Sequence, residues 1–89
     1  MIRRTVYYSG RVQGVGFRYT TCRTAEGFRV TGYVRNLRDG RVEVVVEGEA
    51  AEVDRFLAAV AGQLSTHIQS VQGHDGPTTG EFGRFDVRY

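Results

Sequence analysis

Residues Gly10 to Arg18, GRVQGVGFR, place three glycines in seven positions and end on an arginine. Glycines 10, 14 and 16 permit backbone angles closed to other residues and let a ligand approach the main chain closely. The stretch follows a β-prone run and leads into a segment of helical composition. A loop entering a helix N-terminus offers unpaired N–H groups and the positive end of the helix dipole. Amides converging in this way suit a phosphoryl group. The spacing is neither a Walker motif, which needs a Lys-Ser/Thr pair, nor a dinucleotide fingerprint, because Tyr19 stands where the third glycine belongs. Glycine spacing alone also fits a flexible connection.

Arg18 falls in the first turn of the expected helix, where the dipole disfavours a cation. A bound dianion reverses that conflict, since guanidinium, amides and dipole would all face it, and the planar fork matches phosphoryl oxygens. The plain alternative is an arginine pointing into solvent. Asn36 stands at the end of a strand-like run in which Val30, Gly32, Val34 and Asn36 share one face. It is the last residue of the helix-facing set, and its amide both donates and accepts, as holding a water requires. The plain alternative is that Asn36 only begins the Asn-Leu-Arg-Asp-Gly turn.

The elements that must bring these residues together follow from hydrophobic period. Thr5 to Ser9 reads as a short strand, and Arg18 to about Glu26 as a helix with Cys22 and Ala25 turned inward and Gly27 marking its end. Val30 to Arg35 is a second strand. Asp39-Gly40 signals a hairpin. Arg41 to Glu47 alternates Val42, Val44 and Val46 against Glu43 and Glu47, which predicts a half-buried strand. Glu49 to Gln63 carries one apolar stripe of Val53, Phe56, Leu57 and Val60, extended by Leu64, with acids near its start. A weak strand is expected over Ile68 to Val71, a polar loop over His74 to Gly80, and alternation of Phe85, Val87 and Tyr89 closes the sheet. The order β-α-β-β-α-β, with room for a fifth strand, predicts an α+β ferredoxin-like sandwich: an antiparallel or mixed five-stranded sheet with two helices on one face. The first two strands run parallel across a right-handed crossover with the third between them. The glycine loop and Asn36 then open onto one sheet edge.

Bulk properties narrow the classes. Eighty-nine residues make a single domain, 1–89, large enough for its own core. No apolar run nears the ~20 residues of a membrane span, and the N-terminus lacks a signal-peptide core. One cysteine excludes an intrachain disulfide and points to a reducing, cytoplasmic setting. All twelve basic residues are arginine, which excludes lysine-based chemistry. Residues 1–41 hold nine arginines against two acids and residues 42–89 three against eight, so the loop lies in the basic half. That asymmetry fits an anionic ligand or a merely solvated surface. His67 and His74 have no partner at metal-ligand spacing.

With these residues assembled, GRVQGVGFR, the eighteen-residue step from Arg18 to the asparagine of GYVRN, and DGRVEVVVEG followed by a helix resemble the acylphosphatase family across essentially the whole chain. The resemblance implies hydrolysis of small acyl phosphates to a carboxylate and inorganic phosphate. It implies that amides of Gln13, Gly14, Val15, Gly16 and Phe17 cradle the phosphate, that Arg18 binds it and that Asn36 positions the water. It implies no metal, cofactor or covalent phosphoenzyme, a monomer, and no nucleic-acid or membrane partner. Three departures, at Arg29, at the missing Gly-Pro pair around 63–68 and at Gly16, leave the matched pair untouched. The same element order serves RNA-recognition, regulatory and copper-chaperone domains. A second cysteine is missing for the last. The RNA reading has Tyr7, Tyr33 and the arginines in favour but lacks the aromatic-rich third strand. A regulatory domain is normally fused to an enzyme. Acylphosphatase-like domains also open larger carbamoyl-transferring proteins, although Tyr89 reads as a natural end of the last strand.

Overall fold

A computed structural model describes residues 1–89. Its elements are β1 (Ile2–Gly10), α1 (Phe17–Ala25), β2 (Thr31–Asn36), β3 (Val42–Gly48), α2 (Ala50–Leu64), β4 (Ile68–Gly76) and β5 (Phe85–Val87). The sheet runs β4-β1-β3-β2-β5. β3 is antiparallel to both β1 and β2, which makes those two parallel, and β5 adds a parallel pairing along β2. This is the ferredoxin-like α+β sandwich with a mixed five-stranded sheet. The inner sheet face, through Val6, Tyr8, Val34, Val42, Val44 and Val46, forms one cluster with Phe17 and Ala25 of α1 and Val53, Phe56, Val60 and Leu64 of α2. The α2 stripe is thus core, with Leu57 only half-buried.

Several expected boundaries move, each for a tertiary reason. β1 extends back to Ile2, beyond the expected Thr5, because Arg3 and Arg4 are neutralised within the fold: Arg3 Nε donates to Glu47 at 2.7 Å, and Arg4 binds Asp75 and Asp54. β4 runs on to Gly76, through residues expected to be loop, because β1 provides a full edge to pair with. Arg4 faces Asp75 and Thr5 faces His74 in that ladder. α1 does not end in a left-handed glycine. It stops at Ala25 and unwinds through tight turns, with Gly27 and Phe28 N–H donating to Thr24 and Ala25 carbonyls at 3.1 Å.

β3 is not half-buried. All seven of its residues are buried, Glu43 and Glu47 included. Hairpin and loop neighbours cover the outer face. Glu43 accepts from Arg35 Nε at 2.7 Å and Tyr33 OH at 3.0 Å. Glu47 accepts from Arg3 and from the N–H groups of Thr79 and Gly80 at 3.0 and 3.1 Å, which ties the loop leading to β5 down onto the sheet. Burial pushes the Glu47 carboxyl up, but these donors outweigh it and hold the group below the usual glutamate range. A tight spot on the neighbouring strand sets the spacing there. Gly32 has φ +142°, and a Cβ added to it would lie 1.9 Å from the Val45 carbonyl oxygen.

Gly32→Ala should therefore destabilise the fold by about 3 kcal/mol or more, through strain and a backbone clash that no rotamer relieves; urea denaturation measures this. Glu47 has a lower pKa folded than unfolded, so the stability it contributes is complete above the ordinary glutamate value and lost as pH falls through the folded one. The urea midpoint of Glu47→Gln should lie below the wild type near neutrality and converge on it as pH falls below the ordinary glutamate range. Parallel curves for the two proteins would contradict that role.

Candidate active site

β1 ends at Gly10 and α1 begins at Phe17. Val12, fully buried, and Phe17 anchor the two ends of the intervening loop in the core. Between them Gly14 and Gly16 both take φ +77°, the left-handed region, with Val15 between them in ordinary space. A Cβ added at either glycine would meet nothing within 4 Å. These glycines are therefore required by the direction of the backbone and not by crowding. Alternation of left-handed and ordinary residues turns successive N–H groups toward one side. The first backbone bond of the helix turn runs from Thr20 N–H to Gly16 O at 2.9 Å. Gly16 as N-cap supplies no side chain to bond, and the first turn holds no acid. The N–H groups of residues 13–17 donate to no acceptor in the protein.

Gly14, Gly16, Phe17 and Arg18 line a cavity of about 360 Å³, and Asn36 lines its other side. The loop and the end of β2 are thus neighbours. Two of the expected loop residues do not line the cavity. Val15 packs on the core cluster. Gln13 turns its side chain away, and its Nε2 donates to the carbonyls of Leu37 and Arg41 at 2.7 and 2.9 Å.

Arg18 is half-buried, makes no ion pair with a carboxylate, and lays its guanidinium over the Tyr89 ring, 5.0 Å from the centroid. An aromatic face holds the group in place without neutralising it. Asn36 Oδ1 is buried with no hydrogen-bond partner. An orphan buried acceptor is costly unless something donates to it, which marks this oxygen as one that still calls for a hydrogen-bond donor.

The rest of the wall was not foreseen. Tyr19, Cys22, Asp86, Val87 and Tyr89 complete the cavity with Val12. Alternation along 82–89 was visible in the sequence, but parallel pairing with β2 decides where those residues go. Val87 faces Val34, and two residues further along each strand lie Tyr89 and Asn36. Asp86 brings a carboxylate to the wall. Its carboxylate is occupied by Arg84, at 2.9 Å, and by the Val87 N–H at 2.8 Å. Burial, with the charges of Asp86 and Glu26, pushes the Cys22 thiol up and keeps it protonated, so it is a poor nucleophile.

A larger cavity of about 670 Å³ lies between α2 and the β1–β4 edge. It lacks the features of an anion site. Its one arginine, Arg4, is taken by Asp54 and Asp75, and its other walls include Leu57, Ala58, Ala61 and Val71. The smaller cavity holds an unpaired cation, free amides and the orphan amide oxygen, and is the candidate site.

Similarity to known proteins agrees with this geometry. The Acylphosphatase family model matches residues 4–87. A protein of Syntrophotalea carbinolica named acylphosphatase is 44% identical over 89 residues, covering 99% of this chain and 97% of that one. The crystal structure of an acylphosphatase from Bacillus subtilis superposes with a TM-score of 0.88 at 30% identity, each chain fully covered. HypF of T. kodakarensis matches the whole of this chain with 12% of its own length, at a TM-score of 0.84 and 28% identity. A guanidinium and a glycine-turned amide loop at the end of β1, facing an amide at the end of β2, thus stand in a chain that belongs to the acylphosphatase family, enzymes that hydrolyse acyl phosphates.

Proposed function

We propose that the cavity hydrolyses acyl phosphates by direct in-line attack of a water held by Asn36, while Arg18 and the amides of Gln13 to Phe17 hold the phosphoryl group. The observation that carries this reading is the convergence on one cavity of an unpaired arginine, free loop amides and the orphan Asn36 oxygen.

The chemistry of the substrate explains why so few groups suffice. The leaving group is a carboxylate whose pKa lies near those of Asp and Glu, so it departs without a proton. Phosphoryl transfer passes through a loose transition state that needs little help from a strong base. The main tasks are positioning and charge stabilisation. Arg18 and the amides face the equatorial oxygens, where charge is spread. Asn36 Oδ1 accepts a hydrogen bond from the water, whose hydrogen stays on the attacking oxygen, and thereby turns an oxygen lone pair toward phosphorus. As the new P–O bond forms and the bond to the acyl oxygen breaks, the water's other proton passes to a phosphoryl oxygen of the substrate. The products are a carboxylate and inorganic phosphate. Neither a metal nor a phosphoenzyme enters the scheme. The donors aimed at the cavity are cationic or N–H groups, which repel a metal ion, and Cys22 is held as a thiol.

The working unit in this proposal is one domain, residues 1–89, acting as a monomer in the cytoplasm, because both halves of the site come from one chain. No helix is long and apolar enough to cross a membrane. A nucleic-acid role is disfavoured by the covering of the sheet tyrosines. The Arg88 guanidinium lies 3.9 Å from the Tyr33 ring centroid and Arg41 lies 4.7 Å from that of Tyr7, so neither outer ring face is open for a base to stack on.

The direct test is phosphate release from benzoyl phosphate in the presence of a chelator, which should not slow it. Arg18→Ala should lose on the order of 10²–10³-fold or more in kcat while its thermal unfolding stays near wild type, since no core contact is lost. Arg18→Lys should recover little, because a point charge replaces the fork. Turnover close to wild type in Arg18→Ala would sink the assignment. Asn36→Ala should lower kcat while inhibition by inorganic phosphate changes little. The opposite pattern, phosphate affinity lost and kcat kept, would show that the two roles are assigned wrongly.

A further inference from the structure

The phosphate loop and Asn36 reach the cavity from different elements, and their separation must be held to a fraction of an ångström for a near-attack geometry. The β1–β3–β2 ladder sets the strands. It does not set the loop, which leaves the sheet at Gly10 and spans six residues, 11–16, before α1. One side chain bridges that gap. Gln13 Nε2 donates to the carbonyl oxygens of Leu37 and Arg41 at 2.7 and 2.9 Å, using both hydrogens of its amide. Leu37 directly follows Asn36, and Arg41 directly precedes Val42, the ladder partner of Asn36.

We infer that the Gln13 side chain is a positioning residue that holds the phosphate loop in its anion-binding shape and in register with Asn36. Its two acceptors do not need it. The Arg41 carbonyl already accepts from Leu37 N–H at 2.8 Å, and the Leu37 carbonyl accepts from Gly40 N–H at 3.2 Å. The β2–β3 turn is therefore closed by its own backbone. Removing the Gln13 amide orphans neither carbonyl and should cost the fold little. What the two bonds add is a polar tie from the loop to the β2–β3 turn, where Val12 and Val15 tie it only to the core. Gly14 and Gly16 have no side chain. The inference deepens the proposed function and rests on it for the role of Asn36.

Gln13→Met keeps length and volume and removes both donors. Gln13→Asn keeps the amide but falls one methylene short. In both, affinity for inorganic phosphate, read from the phosphate-induced rise in unfolding temperature, should drop on the order of 10- to 100-fold, as expected for two neutral hydrogen bonds. With benzoyl phosphate KM should rise and kcat fall together, because both halves of the site lose register. The unfolding temperature without phosphate should change little. Wild-type phosphate affinity in either folded variant overturns the inference. So does a large loss of stability with affinity intact, which would make Gln13 a merely structural strut. Phosphate binding is read without turnover, so a protein that binds phosphate through Gln13 yet fails to cleave acyl phosphates would refute the proposed function and not the role of Gln13 in placing the loop.

Discussion

β3 separates β1 from β2 by two strand widths, about 9.5 Å, and runs antiparallel to both. Every feature of the site depends on that insertion. Because β1 and β2 are parallel, their C-terminal ends open on the same side, and the glycine loop and Asn36 face one another across the width of one strand. A hairpin between β1 and β2 would have sent them to opposite ends of the sheet. The same insertion makes β3 the central strand, buried on both faces. That burial explains why Glu43 and Glu47 must find donors, and why Arg3, Arg35, Tyr33 and the 77–84 loop close over the outer face. β5 is brought to β2 by that loop, and with it come Val87 and Tyr89 on the cavity wall.

Charge is arranged in space quite differently from its order along the chain. The first half is strongly basic and the second acidic, yet the sheet interleaves them. Arg3 meets Glu47 and Glu81, Arg4 meets Asp54 and Asp75, and Arg35 meets Glu43. Part of the basic half is therefore neutralised within the fold. Most of these exposed pairs add little stability individually. Arg18, the one arginine lining the cavity, makes no such pair and faces only the Tyr89 ring. In the proposed function, anion selectivity rests on this guanidinium and a set of amide dipoles, inside a cavity whose partial exclusion of water strengthens both.

The amide loop shows how local and tertiary forces divide the work. Left-handed φ at Gly14 and Gly16 is a local preference, available only because a side chain is absent. It aims the N–H groups but does not say where the whole loop lies. Val12 and Phe17 hold its ends by burial, and Gln13 holds its middle by reaching to another hairpin. Binding of phosphate to such a loop requires little reorganisation, and preorganised dipoles are the ones that stabilise a developing charge well.

The sequence by itself determined the elements and the chemical endowment of the loop. Hydrophobic period marks α2 and β3, and glycine and Asp-Gly signals mark the turns, because these depend on contacts a few residues apart. Arg18 and Asn36 were legible for a related reason: each breaks a local expectation, a cation at a helix start and a polar residue ending a buried face. Only the tertiary structure decided what depends on partners far along the chain. The ends of β1 and β4 lengthened where a neighbouring strand offered hydrogen bonds, against weak local propensity. Glu43 and Glu47 were buried because arginines from other strands satisfied them. Asp86 and Tyr89 joined the cavity through a three-residue strand whose alternation is visible in the sequence but whose parallel pairing with β2 is not. Gln13 turned to the β2–β3 turn because two carbonyls, more than twenty residues away, came within reach of its amide once the sheet had formed.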